Sequence, residues 1–106
     1  MKKEKIEIVN LRNLQNVKDG VVIRVDRASV LGNPFYMHNE TERDAVCDKY
    51  EVYFNEKVTT KTDDAFMNAL RRIYKLAQTN KVYLACWCAP KRCHAETIKK
   101  FIEQYL

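Results

Sequence analysis

The sequence predicts a small Rossmann-like α/β domain, with a short, mostly parallel sheet and about three helices. Two observations carry this. Two strongly apolar, strand-like segments, Val21–Val25 and Val82–Trp87, are separated by two stretches whose apolar residues recur at helical spacing. A connection that long and helical makes the later strand parallel to the earlier one. At 106 residues the chain has the size of a single domain, taken as residues 1–106.

The elements follow in order. Ile6 and Ile8 alternate with polar neighbours across Lys5–Leu11, which reads as a first strand near a sheet edge. The polar stretch from Asn13 ends in Asp19-Gly20, a turn signal. The pattern leaves open whether the first two strands form a hairpin or are parallel neighbours. Val21-Val22-Ile23-Arg24-Val25 reads as a buried strand. From Asp26 to Asn39 no period holds, and Gly32-Asn33-Pro34 marks a shaped loop. Thr41 caps a helix, with Asp44 three residues later. Its core face is Val46, Tyr50, Tyr53 and Phe54, and it fades near Lys57 into a linker over Val58–Thr62. Thr62 or Asp63 caps the second helix, whose face is Phe66, Ala69, Leu70, Ile73, Leu76 and Ala77. It ends around Asn80. Val82–Trp87 is the third strand, and Cys88–Arg92 is a tight loop. Cys93 or His94 opens the last helix, with Ile98, Phe101, Ile102 and Tyr105 facing the core.

Composition excludes several classes. Apolar residues at 46% and charged residues at 31% suit a globular domain, not a disordered one. No apolar run approaches the roughly 18–20 residues of a membrane span. Met1-Lys2-Lys3-Glu4-Lys5 is basic, but it leads directly into the first strand with no apolar core of a signal peptide. The expected location is the cytoplasm, where cysteines stay reduced. The net charge of +5 favours an anionic partner, either a nucleotide-like small molecule or nucleic acid, and not a membrane. The excess is scattered over Lys2/Lys3/Lys5, Arg71/Arg72 and Lys99/Lys100, which read as solvated surface.

The strongest chemical signal is Cys86-Trp87-Cys88-Ala89-Pro90-Lys91-Arg92-Cys93-His94. Cys86 and Cys88 share a face of an extended strand. Cys93 and His94 return at a helix N-terminus, where the helix dipole favours a thiolate. Three readings compete. Cys86, Cys88, Cys93 and His94 form a Cys₃His donor set for zinc, although Cys-x-Cys is tighter than the usual ligand spacing. Alternatively, Cys93 is a metal-free nucleophile with His94 as its acid–base partner. In the third reading the cysteines are simply small apolar residues of a buried strand.

A second constellation lies in the earlier loop. Arg27, Ser29, Gly32 and Asn33 follow the second strand, and Arg43 sits in the first turn of the next helix. Gly32 permits a positive φ or a close backbone approach, and the arginines suit a phosphate or carboxylate. Arg43 opposes the helix dipole, which fits either a specific anionic partner or a snorkelling surface arginine. Both loops leave the carboxyl ends of parallel strands, the edge at which open α/β sheets bind ligands.

Taken together, Arg27, Ser29, Leu31-Gly32-Asn33-Pro34-Phe35, Arg43, Tyr50, Leu84-Ala85-Cys86-Trp87-Cys88-Ala89-Pro90 and Cys93-His94 resemble the family called domain of unknown function 4326. The resemblance spans about Val21 to Ile98. It implies the α/β fold and a phage or bacterial setting, and it implies no activity. Asp26 stands where the family usually has glycine or a similar small residue before the loop arginine, and Ala95 where it often has glycine after Cys-His.

The functional expectation is a protein that binds or processes a nucleotide- or nucleic-acid-related ligand. Arg27, Ser29, Gly32, Asn33 and Arg43 would hold the ligand, and Cys93 with His94 would act on it. The alternative is a non-catalytic, zinc-stabilised module that binds nucleic acid or a host protein.

Overall fold

The computed structural model describes residues 5–17 and 19–106. Lys2 and Lys3 of the basic N-terminal group lie outside the described residues.

Three strands form one sheet: β1 (Ile6–Asn10), β2 (Val21–Arg24) and β3 (Val82–Cys86). Their order is β1-β3-β2, and both outer strands run parallel to β3. The choice left open by the sequence therefore resolves to neither a hairpin nor direct neighbours. β3 inserts between the first two strands. Ile8 and Ile23 both sit opposite Leu84 in register.

All five residues of β3 are buried, as its continuous apolar run predicts. β2 departs from expectation. It is an edge strand whose residues alternate in exposure, and Val22 is exposed. Its β-branched run reflects strand propensity more than two-sided burial.

The helices are α1 (Arg43–Thr60), α2 (Asp64–Ala77) and α3 (Ala95–Glu103). α1 starts later and ends later than its pattern suggests. A short 3₁₀ turn, Glu40–Glu42, precedes it, and Asn39 rather than Thr41 provides the cap by accepting from the Thr41 backbone N–H. The helix absorbs most of the expected linker and stops at Lys61, which takes the left-handed conformation at φ 55°. Asp63 caps α2 by accepting from the Phe66 N–H.

The core joins Val82, Leu84 and Cys86 of β3 to Tyr50 and Phe54 of α1, Phe66, Leu70 and Ile73 of α2, and Ile98 and Ile102 of α3. These β3 residues alternate with Tyr83 and Ala85, so the helices cover one face of the sheet. Tyr105, read from the sequence as a core residue, is exposed. Among the described residues no helix is long and apolar enough to cross a membrane.

Candidate functional site

The carboxyl ends of β2 and β3 open into one cleft of about 350 Å³. Its floor is Cys86, Cys93 and His94. Its walls come from the loop after β2 (Arg27, Asn33, Phe35, Met37), from α1 (Arg43, Val46, Cys47) and from Trp87. The two constellations seen in the sequence are thus brought to one place, and the parallel topology is the reason.

Hydrogen bonds fix the two loops. At the end of β1, the Asn10 side chain donates to the carbonyls of Trp87 and Ala89, at 3.2 and 2.8 Å. Asp26 follows β2 and is almost fully buried. Its carboxylate accepts from both Arg24 nitrogens and from the Trp87 indole N–H at 3.0 Å. The Arg24 contact, with help from Trp87, holds the Asp26 carboxyl below the usual carboxylate range. Asp26 therefore bridges the two loops. Sequence reading missed Asn10 and Asp26 as site residues. The signal was their position, each being the polar residue at the carboxyl end of a strand.

The residues predicted to hold an anion divide sharply. Ser29 donates to the Asp26 carbonyl at 3.0 Å and closes a turn. Gly32 lies outside the cleft lining. A Cβ there would come within 2.5 Å of the Asp26 carbonyl oxygen and 2.6 Å of the Arg27 Cα, so close backbone approach, and not a positive φ, demands glycine. Asn33 accepts from the Phe35 N–H at 2.9 Å and donates to the Val46 carbonyl. These three shape the loop.

Arg43 already has its anion. It grips both carboxylate oxygens of Glu40, at 2.9 and 2.7 Å, and donates to the Arg92 carbonyl. This pairing holds the Glu40 carboxyl down to about 2. The specific anionic partner inferred from the position of Arg43 is therefore a residue of the same chain. Arg92 is likewise paired, with Asp44 and Asp48. Arg27 differs. It donates to the Phe35 carbonyl at 2.8 Å and stacks over Tyr36, but it pairs with no carboxylate among the described residues. Its guanidinium has further donors for a ligand.

The sulfur atoms of Cys86 and Cys93 lie 3.0 Å apart. They share a hydrogen bond in which either thiol can donate. That shared hydrogen bond outweighs burial and holds the Cys86 thiol below its ordinary value. Its partner Cys93 keeps its proton, because the shared hydrogen bond and burial both favour the thiol. The Cys93 backbone N–H is held by Glu96 at 3.1 Å. The sequence assigns the thiolate to Cys93, at the helix start. In the structure the Ala95 N–H donates to the Cys93 sulfur at 3.4 Å, and that sulfur also meets Cys86.

His94 is buried, and its Nε2 bonds the Val25 carbonyl, which requires the N–H to be on that nitrogen. Burial pushes the imidazole below its ordinary value and keeps it neutral. The ring packs against Tyr50 at 4.9 Å between centroids.

The four expected zinc donors are not presented as a set. Two thiolates on one tetrahedral zinc, each about 2.3 Å from the metal, stand roughly 3.8 Å apart. The Cys86 and Cys93 sulfurs are closer than that, and His94 is turned to Val25. Among the described residues no group of three or more His, Cys, Asp or Glu is gathered to hold a metal. Cys47, isolated in the sequence, joins the cleft wall with its sulfur 3.8 Å from the Arg92 carbonyl.

The family model described as Domain of unknown function (DUF4326) matches residues 9–104. The chain belongs to that family, as its loop and Cys-His motifs imply. No curated protein and no solved structure matches the chain.

Proposed function

We propose that this protein binds a small nucleotide-like anion in the cleft at the carboxyl edge of its sheet and acts on it through the Cys86–Cys93 pair. One observation carries the reading. Arg27, a cation with no carboxylate partner among the described residues, lines the same cleft as an aromatic wall and a hydrogen-bonded thiol pair.

The chemistry divides among these groups. Arg27 offers a planar fork of donors that suits a phosphate. Trp87 and Phe35 supply flat apolar surface against which a base stacks. Cys86 is the nucleophile, because a thiolate attacks where a thiol does not. Cys93 donates the hydrogen bond that stabilises that thiolate. His94 stays neutral and fixes the start of α3 against the end of β2.

Trp87 is the single tryptophan of the chain and is half exposed at the cleft. Its emission therefore reports occupancy. Titration with nucleoside monophosphates should give a saturable change. Arg27→Ala should weaken that binding by at least about tenfold, the scale of a lost charge-assisted hydrogen bond. The matching nucleosides, without phosphate, should bind more weakly. No saturable change with any nucleotide, or equal binding by Arg27→Ala, would contradict the proposal.

A further inference from the structure

The chain has four cysteines, and none is in a disulfide. Cys47 sits with its sulfur on the Arg92 carbonyl, and burial pushes its thiol up. Cys88 is the most exposed of the four and lies against Arg43. Cys86 and Cys93 are both buried, yet both form the cleft floor with their sulfurs already in contact. Exposure alone would make Cys88 the sulfur that oxidises first. Geometry selects a different pair.

From the 3.0 Å contact of two cleft-floor sulfurs, we infer that Cys86 and Cys93 form a peroxide-reactive dithiol that closes reversibly to a disulfide. The reactant is hydrogen peroxide or a small organic hydroperoxide entering the cleft. The Cys86 thiolate attacks one peroxide oxygen and the O–O bond breaks. The attacked oxygen stays on sulfur as Cys86–SOH, and the other leaves as hydroxide and is protonated to water, or to an alcohol from an organic hydroperoxide. The Cys93 sulfur then attacks the Cys86 sulfur. The S–S bond forms, the S–OH bond breaks, and the departing hydroxide takes the Cys93 proton as a second water. In total two thiols are oxidised by two electrons and one peroxide is reduced.

Three features favour this pair. The resolving thiol is already in place, so the sulfenic acid has a partner before a second peroxide arrives. The hydrogen bond shared with Cys93 holds the Cys86 thiol below its ordinary value, which favours the attacking thiolate. The separation is shorter than a shared zinc ion would set, and closing it to the roughly 2.05 Å of a disulfide requires about 1 Å of sulfur movement. The bridge would tie the end of β3 to the start of α3 and remove the thiolate from the cleft. A thiol reductant reopens it.

The test uses the full chain, reduced, treated with hydrogen peroxide and then alkylated under denaturing conditions. Trypsin cleavage at Lys91 and Arg92 separates Cys93 from the other two motif cysteines. Fragmentation between Cys86 and Cys88 then assigns the bridge. The expected result is a chain lighter by two hydrogens, a Cys86–Cys93 bridge, and Cys47 and Cys88 still alkylated. Cys88→Ser should form the same bridge. Cys93→Ser should leave a sulfenic acid on Cys86 that dimedone traps, and if that variant does not fold, the wild-type map decides alone. A bridge to Cys88 or Cys47, four unmodified thiols, or direct passage to sulfinic acid would overturn the inference. The map needs no nucleotide, so its outcome is independent of the ligand-binding titration.

Discussion

Between the helices, Phe54 meets Phe66 and Phe101 edge to face, with ring centroids 5.5 and 5.2 Å apart. At the carboxyl edge of the sheet, Asp26, Asn10, Asn33, Arg43 and His94 are each held by a named hydrogen bond to another segment of the chain. The aromatic seam needs volume of the right shape, and many side chains of similar size would satisfy it. The cleft needs particular atoms at particular places, because each polar group there is buried or half-buried and needs its partner. The seam therefore stabilises the fold, and the edge uses that stability to hold polar and reactive groups in position.

Substitutions in the two regions should separate stability from site shape. The largest effect is expected at Phe54, which is fully buried. Phe54→Ala should lose about 3–5 kcal/mol in denaturant unfolding, through lost transfer energy and a cavity. Below the unfolding transition, the Cys86–Cys93 bridge should still form on oxidation. A stable variant with an altered thiol pattern would show that the seam and the cleft are not separable.

Gly32→Ala should act more on the site than on stability. The new Cβ meets backbone of Asp26 and Arg27, which cannot swing aside as a side chain would. The expected cost is about 1–3 kcal/mol. The site effect should be larger than the stability effect suggests, because the displaced segment carries both Asp26, the partner of Trp87, and Arg27. A shift of Trp87 emission in the unliganded variant checks this. An unchanged spectrum and unchanged nucleotide binding would mean that the loop relaxes without moving the cleft.

The smallest effect comes from His94. Its folded pKa lies below the ordinary 6.5 because burial disfavours the imidazolium. The unfolded chain therefore binds the proton first. The stability due to neutral His94 is present above about pH 6.5 and is lost as pH falls through the folded value. The slope is at most about 1.4 kcal/mol per pH unit for one proton. His94→Gln should flatten the pH dependence of unfolding in that window. An equal slope in both proteins would place the titration elsewhere.

The legible part of this molecule follows the same division. Helical spacing exposed the core faces of α1, α2 and α3 because periodicity is a property of neighbouring residues along one element. The continuous apolar run of β3 revealed the central strand. The parallel crossover brought the Gly32 loop and the Cys86–His94 loop to one edge before any coordinates were needed. What stayed hidden was pairing across elements. Arg43 reads as unpaired until the Glu40 turn folds beside it. Cys93 reads as a lone thiol at a helix start until the loop folds its sulfur to 3.0 Å from that of Cys86. Asp26 and Asn10 carry no motif, and their roles exist only once three strand ends are adjacent.

The central claim, that the carboxyl edge is a ligand site, is tested most directly by amide chemical-shift mapping of the isotopically labelled protein during titration with a nucleoside monophosphate. Saturable shifts should concentrate in residues 26–37 and 86–94, include the Trp87 indole N–H, and leave the Phe54–Phe66–Phe101 seam unmoved. Shifts absent at every nucleotide concentration, or concentrated on the α2–α3 surface away from Arg27 and Cys86, would contradict it.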